Sequence, residues 1–271
     1  RTLLRLPGYC LARLLRPWLE ERAGAGDPEP ALRAAYMARD TYFRALLDRP
    51  DALLAPSRFL QRAFEVWGLP PGRIRVVRNG VDAGLAQPPV PGNGKLRLVF
   101  VGSIVPHKGL DVLVEEVAHY AAELRRKADG TAARFMGSLP HAELGGVLAQ
   151  ADALVLPSVL YENCPLSILE AFAARVPVIA SNIGGMAELV QHGQNGLQFQ
   201  AGNARDLAAR IRQILAEPQL LRLLQSGIQP PATTAQVSRT IAAIYDEVVE
   251  QRRLGCRDAA VQQVIAREEV G

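Results

Sequence analysis

Short apolar runs that do not alternate with polar residues constrain the fold of this chain more than any other feature. They are interleaved with stretches in which apolar residues recur about every 3.6 positions, the period of an α-helix. The runs are 153–157, 177–181 and 196–200, and the helical stretches are 165–174, 186–191 and 204–216. Strands of a parallel sheet have this composition because helices cover both faces of the sheet. The sequence therefore predicts a doubly wound α/β domain.

Weaker patterns on the N-terminal side predict a second, smaller domain. The expected helices are 31–47 and 57–67, and the expected strands are 51–56 and 73–78. Residues 83–94, rich in proline and glycine, have the composition of an interdomain linker, and a strand at 95–102 and a helix from Gly109 follow it. The expected regions are a smaller N-terminal domain at 1–90, a larger C-terminal domain at 91–232, and a C-terminal helix and tail at 233–271.

Composition narrows the classes of partner and location. The formal net charge is only +4, without runs of like charge, so no nucleic-acid partner is expected. The three cysteines lie far apart without metal-ligand spacing, which favours a reducing cytoplasm and predicts no metal site. The sequence has no uninterrupted run of about 18 apolar residues, so no membrane-spanning helix is predicted. Residues 1–19 form a basic amphipathic pattern that fits peripheral contact with an anionic membrane or, more commonly, a core-facing helix.

Three loops are expected at the edge of the sheet where open α/β sheets bind ligands, beyond the carboxyl ends of the strands. They are 102–108, 158–164 and 182–185. Pro165 suits the first position of a helix, whose unpaired N–H groups would favour a phosphate in the second loop. Lys108 would add positive charge there, and the carboxylates of Glu162 and Glu170 suit sugar hydroxyl groups. Two solvated surface carboxylates are the alternative explanation for this spacing.

Five motifs occur in order along the second half of the chain. They are Ala-Asp-Ala-Leu-Val-Leu-Pro-Ser (151–158), Glu-x-Cys-Pro-Leu-x-x-x-Glu-Ala (162–171), Pro-Val-Ile-Ala-Ser (177–181), Gly-Gly-x-x-Glu (184–188) and Gly-x-x-Gly (193–196). This order closely resembles glycosyltransferase family 4, the retaining enzymes of GT-B fold. Segments 100–109, 55–59 and 77–82 resemble the family's phosphate-binding loop and the end of its first domain. The resemblance implies a GT-B-like α/β protein with a doubly wound C-terminal domain and an incomplete, Rossmann-like N-terminal domain.

The resemblance also implies a role for each residue of a donor site. Glu170 would hold the nucleotide ribose, Glu162 the transferred sugar, and Lys108 the diphosphate. The other donor-binding positions would be Gly102, Ser103, Gly137, Ser138, Asn163, Cys164, Pro165 and Leu166. The donor would be a nucleotide-diphosphate sugar, used without metal or cofactor. The acceptor would be a glycan, a lipid-linked glycan or a similar molecule, met in the cytoplasm or at the inner face of the membrane.

Four departures from the family pattern are visible. Ser103 stands where many members have an arginine beside the diphosphate, and Arg175 stands where glycine is usual. A side chain at 175 costs roughly 1 kcal/mol if the backbone there needs a positive φ. A strand, a glycine loop and a helix of the family are missing between Tyr120 and Arg134, and residues 1–82 are about half of a Rossmann-like domain.

Other functions are left open by these departures. The departures from the family pattern also fit a catalytically impaired remnant that binds nucleotide or pairs with a fuller homologue. Sugar-nucleotide epimerases share the GT-B architecture and are a further alternative. A dinucleotide oxidoreductase fits less well, because no Gly-x-Gly-x-x-Gly occurs.

Two residue types need a separate interpretation. Cys164 precedes a predicted helix, where a thiol pKa is lowered, and this position suggests a nucleophile as one interpretation. No histidine partner accompanies it by motif, so a small residue that fills the loop is expected. The four histidines are expected at the surface or with satisfied hydrogen bonds, and His107 is expected close enough to the predicted phosphate to contribute.

Overall fold

The computed structural model describes residues 29–87, 90, 94–110 and 133–268. The helices in these ranges are α1 Glu29–Leu47, α2 Arg58–Trp67, α3 Leu144–Ala149, α4 Leu166–Ala173, α5 Gly184–Leu189, α6 Ala204–Ala216, α7 Pro218–Ser226 and α8 Thr234–Glu268. The strands are β1 Leu53–Ala55, β2 Ile74–Val76, β3 Leu98–Val99, β4 Ala153–Leu156, β5 Val178–Ser181 and β6 Gly196–Phe199. None of these helices is long and apolar enough to cross a membrane. The amphipathic pattern at 1–19, most of the helix expected after Gly109 and the gap expected after Tyr120 lie outside the described residues.

The chain divides into two compact units, and the smaller one contains a two-stranded sheet. Of the described residues, those within 1–55, 60–77 and 240–271 form the smaller unit, and those within 56–59 and 78–239 form the larger one. In the smaller unit β1 and β2 pair in parallel. The buried side chains beside them are Ala55, Trp67, Leu69 and Ile74. Glu247 of α8 accepts hydrogen bonds from Arg75 of β2 at 2.6 Å, so this part of α8 lies beside the sheet. The predicted domain boundaries after residues 90 and 232 stay predictions.

The larger unit contains a four-stranded sheet in which all neighbours are parallel. Its strand order is β3-β4-β5-β6. Leu154 lies opposite Val178, and Val178 lies opposite Gly196 in the ladder. Every residue of β4 and β5 is buried. The predicted parallel α/β sheet is therefore confirmed.

Successive side chains of the central strands point to opposite faces and enter separate cores. On one face, Leu154 and Leu156 of β4 pack with helices α3, α4 and α5. The buried partners there include Leu144, Leu148, Ile168, Phe172 and Met186. On the other face, Val155 packs with α6 and α7. The buried partners on that side include Leu207, Ile214, Leu220 and Leu224. Since helices cover both faces, polar loops reach solvent at the ends of the strands.

Two predicted elements differ in extent from the observed ones. The strand expected at 95–102 is limited to β3, because Phe100 and Val101 leave the ladder and pack against the hydrophobic core. The helix expected at 186–191 is α5, which begins at Gly184 and ends at Leu189, because the backbone of Val190 is extended with a ψ of 111°. Residues 133–139, which follow the gap expected after Tyr120, form neither a helix nor a strand.

Arg175, which follows α4, has a left-handed backbone with a φ of 58°. Its guanidinium donates a hydrogen bond to the carbonyl of Ile228 at 2.8 Å. Arg175→Ala keeps the unfavourable backbone and loses this bond, whereas Arg175→Gly loses the bond and the steric cost together. We therefore expect the Gly variant to be more stable than the Ala variant by about 1 kcal/mol. Urea unfolding measures the difference, and an Ala variant as stable as the Gly variant would refute it.

Candidate functional site

The loops that follow β3 and β4 lie against each other. The first loop ends in a 3₁₀ turn that is closed by Gly109, whose φ is 69°. A Cβ atom on Gly109 would overlap the carbonyl of Pro157 at the end of β4. The N–H of Val159 also donates to the carbonyl of His107 at 3.0 Å. Glycine is required at 109 by its backbone and by this close approach, which brings Lys108 to the second loop.

Lys108 and Glu162 form an ion pair between these two loops. Lys108 Nζ lies 2.8 Å from Glu162 Oε2, and the two side chains are 23% and 16% exposed. The hydroxyl of Ser158, which is fully buried, donates to Oε1 of the same carboxylate. A carboxylate with so little exposure loses favourable hydration, and here the Lys108 cation and the Ser158 hydroxyl compensate for that loss. The side chains predicted to hold diphosphate and sugar are thus in direct contact.

The third loop, which follows β5, fits against the backbone that carries Glu162. The N–H of Gly185 donates to the carbonyl of Glu162 at 2.6 Å. A Cβ atom on Gly185 would overlap the carbonyl of Asn163, and Gly184 has a φ of 58° and would place a Cβ 2.9 Å from the carbonyl oxygen of Glu162. The two glycines of the Gly-Gly-x-x-Glu motif therefore set the separation of the loops. Segments of all three predicted loops are in contact at this edge of the sheet.

Gly185→Ala is expected to disturb this packing. The added methyl group must displace the carbonyl of Asn163, so we expect a loss of about 1–3 kcal/mol in unfolding free energy. Gly146→Ala is the matched control, because its methyl group would meet only the Gln87 side chain at 3.7 Å and a helix favours alanine. Chemical unfolding compares the two variants. A Gly185 variant as stable as the control would rule out the close packing.

Helix α4 begins one residue later than the sequence predicts. Pro165 is its N-cap, with a φ of −63° and a ψ of 119°, and Leu166 is the first helical residue. The extended ψ of Pro165 leaves its carbonyl as the acceptor for the N–H of Ile168 at 3.2 Å. The earliest N–H groups of a helix have no partner within it. Leu166 is 49% exposed, so this end of the helix reaches solvent and is suited to an anion.

Cys164 is buried, which makes the nucleophile interpretation wrong. Only 8% of the residue is exposed. Burial raises the pKa of the Cys164 thiol, and a backbone hydrogen bond from Asn79 offsets only part of that rise. The expected lowering by the helix end is outweighed, because a thiolate here would lose its hydration. Cys164 packs into the core below the loop, as a small filling residue does.

Glu170 lies in the second turn of α4, and its side chain is 12% exposed. Nε2 of His141 is 3.3 Å from Glu170 Oε1. Because an ionised carboxylate only accepts hydrogen bonds, Nε2 is the donor. His141 is 60% exposed, as a surface histidine should be, but its contact with Glu170 was not predicted. Lys108 and Glu162 are thus brought together, and Glu170 faces a different neighbour.

Four other predicted donor-binding residues lie on exposed loop segments. They are Gly102, Ser103, Gly137 and Ser138. Gly137 has a φ of 75°, and the adjacent Met136 is 62% exposed. In the described ranges, no hydrogen bond joins these four residues to the carboxylates or to Lys108, so their roles stay predictions. The same ranges contain no group of three His, Cys, Asp or Glu side chains able to hold a metal ion.

Glu188 is a half-buried carboxylate near the site that was not predicted as a site residue. It accepts hydrogen bonds from the N–H of Phe59 at 2.8 Å and from the guanidinium of Arg78 at 3.0 Å. Burial alone would raise the pKa of Glu188, but these hydrogen bonds hold it below its usual value. The ring of Phe59 also stacks on Tyr161, next to Glu162, with centroids 5.4 Å apart. Glu188 is the final residue of the Gly-Gly-x-x-Glu motif at 184–188, and this motif was the sequence signal that could have identified it as a site residue.

Two family descriptions match separate parts of the chain. The sequence model of the family described as Glycosyl transferases group 1 matches residues 119–217, which include both site glutamates and the paired glycines. The model described as Glycosyltransferase Family 4 matches residues 24–85. The matches therefore cover parts of both compact units.

Proteins with assigned functions share this similarity over longer stretches. The chain is 35% identical to a glycogen synthase of Mycobacterium tuberculosis over 199 residues, which cover 64% of this chain and 47% of that protein. It is 28% identical to a D-inositol 3-phosphate glycosyltransferase of Thermobispora bispora over 274 residues, covering 85% of this chain and 62% of that protein. The chain thus spans less than two thirds of the length of either relative.

Solved structures share the fold. A sucrose-phosphate synthase from Thermosynechococcus elongatus superposes with a TM-score of 0.67 at 24% identity, over 79% of this chain and 62% of that one. HepE of Anabaena, solved in complex with UDP, superposes with a TM-score of 0.66 at 22% identity, over 77% of this chain and 68% of that one. The arrangement they have in common is the GT-B fold.

Proposed function

The chain belongs to the group 1, or family 4, glycosyltransferases, and from this premise we propose that it transfers a sugar from a nucleotide-diphosphate sugar to an acceptor with retention of configuration. The proposed acceptor is a glycan, a lipid-linked glycan or a similar molecule. Lys108 supplies the positive charge for the diphosphate, so the proposal requires neither a metal ion nor a cofactor.

The contact between Lys108 and Glu162 is the observation that carries this proposal. An ammonium group and a carboxylate 2.8 Å apart form a site with two parts, one suited to a diphosphate and one to sugar hydroxyls. The start of α4, on the same loop as Glu162, adds backbone N–H groups for the anion. Glu162 is not a solvated surface glutamate, because its side chain is 16% exposed and has two side-chain partners.

The named relatives support this class of donor. HepE of Anabaena was solved with UDP and also with UDP-glucose. We therefore take a UDP-sugar as the first donor to test, with GDP- and ADP-sugars as alternatives. We place the base beside residues 136–139, where Met136 and Ser138 are exposed, and propose that backbone groups recognise it.

In the proposed reaction the bond between the anomeric carbon and the diphosphate oxygen breaks, and its electron pair leaves with the diphosphate. Lys108 and the N–H groups at the start of α4 stabilise the charge that grows on the leaving group, an effect worth about 3 kcal/mol for each well-placed donor. The acceptor hydroxyl attacks the same face of the sugar, and its proton passes to the departing diphosphate. Glu162 orients the sugar through its hydroxyl groups.

Calorimetric titration with UDP-, GDP- and ADP-glucose tests the proposed function at its first step. We expect one of the three to bind with one-to-one stoichiometry, and a chain that binds none of them would overturn the proposal. Transfer of labelled sugar by the purified 271-residue chain then distinguishes a transferase from a remnant that only binds. A changed sugar nucleotide formed without acceptor would identify an epimerase instead.

Glu170→Gln is expected to weaken donor affinity about 5- to 10-fold. The variant keeps the shape of the side chain but replaces charge-assisted hydrogen bonds to the ribose by neutral ones, a difference of about 1–1.5 kcal/mol. Glu143→Gln, a neighbouring glutamate with an exposed side chain, is the matched control. The same titrations measure both variants. Unchanged affinity in Glu170→Gln would remove Glu170 from the nucleotide site.

A further inference from the structure

The backbone of His141, the neighbour of Glu170, is anchored on both sides. His141 begins a 3₁₀ turn in which the N–H of Glu143 donates to the carbonyl of Pro140 at 2.9 Å. The N–H of Leu144 donates to the carbonyl of His141, and Leu144 is 4% exposed in the core. The turn is therefore fixed to the rest of the unit, which keeps the imidazole within reach of Glu170 on α4.

The hydrogen bond from His141 to Glu170 has little effect on stability, because the imidazole is 60% exposed and water competes for it. The bond has a larger effect on the position of the Glu170 side chain. Its side chain is 12% exposed, and His141 is the one hydrogen-bond partner that its carboxylate has among the described residues. A carboxylate can accept about four hydrogen bonds, so most of this capacity is left for a ligand.

We propose that His141 is a positioning residue for the donor site, because it holds one oxygen of Glu170 and thereby aims the other oxygen at the ribose hydroxyls of the nucleotide sugar. This inference rests on the proposed function. A free glutamate side chain loses rotamer freedom when it binds a ligand. The hydrogen bond from His141 removes part of that freedom beforehand, which raises affinity by preorganisation. Glu170 touches the ribose, and His141 acts through it.

The proposal predicts that His141 matters only for ligands with ribose hydroxyls. We would titrate UDP and 2′,3′-dideoxyuridine diphosphate, and the GDP and ADP pairs likewise, into the wild type and the variants. His141→Ala is expected to weaken binding of the ribonucleotide about 3- to 10-fold, the range of one neutral hydrogen bond, and to leave the dideoxy affinity unchanged. His141→Gln, whose amide N–H replaces Nε2, is expected to restore the ribonucleotide affinity. Glu143→Ala, on the same turn, is the control and is expected to change neither.

The possible failures are distinguishable. A wild type that binds none of the three ribonucleotides overturns the proposed function and this inference with it. A wild type that binds one, together with a His141→Ala variant that is unchanged or that weakens ribo and dideoxy ligands equally, overturns the positioning role and leaves the proposed function intact. A Gln variant as weak as the Ala variant has the same consequence. Thermal unfolding is expected to be equal in all variants, because the pair contributes little to stability.

Discussion

Lys108→Ala is expected to weaken binding of the nucleotide-sugar donor about 10- to 100-fold and to slow sugar transfer about 100- to 1,000-fold. The ammonium group lies 2.8 Å from Glu162 Oε2, so its removal leaves the diphosphate facing an uncompensated carboxylate. Transfer suffers more than binding, because negative charge on the diphosphate grows as the bond to the sugar breaks. Calorimetry measures the affinity, and single-turnover transfer of labelled sugar measures the rate.

Arg212→Ala is the matched control for Lys108→Ala. Arg212 lies on α6 and is exposed, and its replacement changes the net charge by the same amount. An exposed charge is screened over about 8–10 Å at physiological salt, so affinity and rate are expected to stay within about 2-fold of wild type. If both variants lost activity equally, Lys108 would act only through net charge and would not belong to the site.

Glu162→Gln is expected to separate nucleotide binding from sugar transfer. The carboxylate repels a diphosphate and forms an ion pair with Lys108, whereas the neutral amide neither repels the anion nor pairs with the ammonium charge. UDP alone should therefore bind the variant as tightly as wild type or up to about 10-fold more tightly, since removing a nearby like charge favours the anion. Transfer should fall about 10- to 100-fold, because the sugar hydroxyls lose a charged acceptor. Titration with UDP and single-turnover transfer measure the two effects.

Ser158→Ala is the control for Glu162→Gln, because it disturbs the position of the Glu162 carboxylate and keeps its charge. Its hydroxyl donates to Glu162, so the variant loosens the carboxylate but keeps the ion pair with Lys108. We expect a smaller loss of transfer than in Glu162→Gln and no gain in UDP affinity. A Glu162→Gln variant that binds UDP and UDP-glucose equally weakly would show that Glu162 supports Lys108 structurally and does not hold the sugar.

The fold was largely predictable, because the residues that set it act locally or by composition. The uninterrupted apolar runs of β4 and β5 are buried on both faces, as expected. The helix expected at 204–216 is also confirmed as α6, and the Asn203 side chain caps its start by accepting from the N–H of Asp206 at 3.1 Å. The ends of the elements were predicted less well, since β3 has two residues where a strand of eight was expected.

For the candidate site, the sequence predicted which residues carry suitable chemistry but not which of them meet. The pairing of Lys108 with Glu162 depends on two loops that approach through Gly109, and no local pattern specifies it. His141 and Glu170 are 29 positions apart, so their contact is a product of tertiary packing. Cys164 shows the limit of local rules, since a helix start favours the thiolate and burial in the core outweighs it.

A crystal structure of the chain with UDP-glucose, or with whichever of the three sugar nucleotides binds in calorimetry, tests the central claim most directly. We predict diphosphate density within hydrogen-bond distance of Lys108 Nζ and of the N–H groups at the start of α4. The ribose is expected on Glu170, and the sugar on Glu162. A nucleotide bound elsewhere on the chain, with the ion pair between Lys108 and Glu162 undisturbed and the loop after β4 empty, would contradict the assignment of this site.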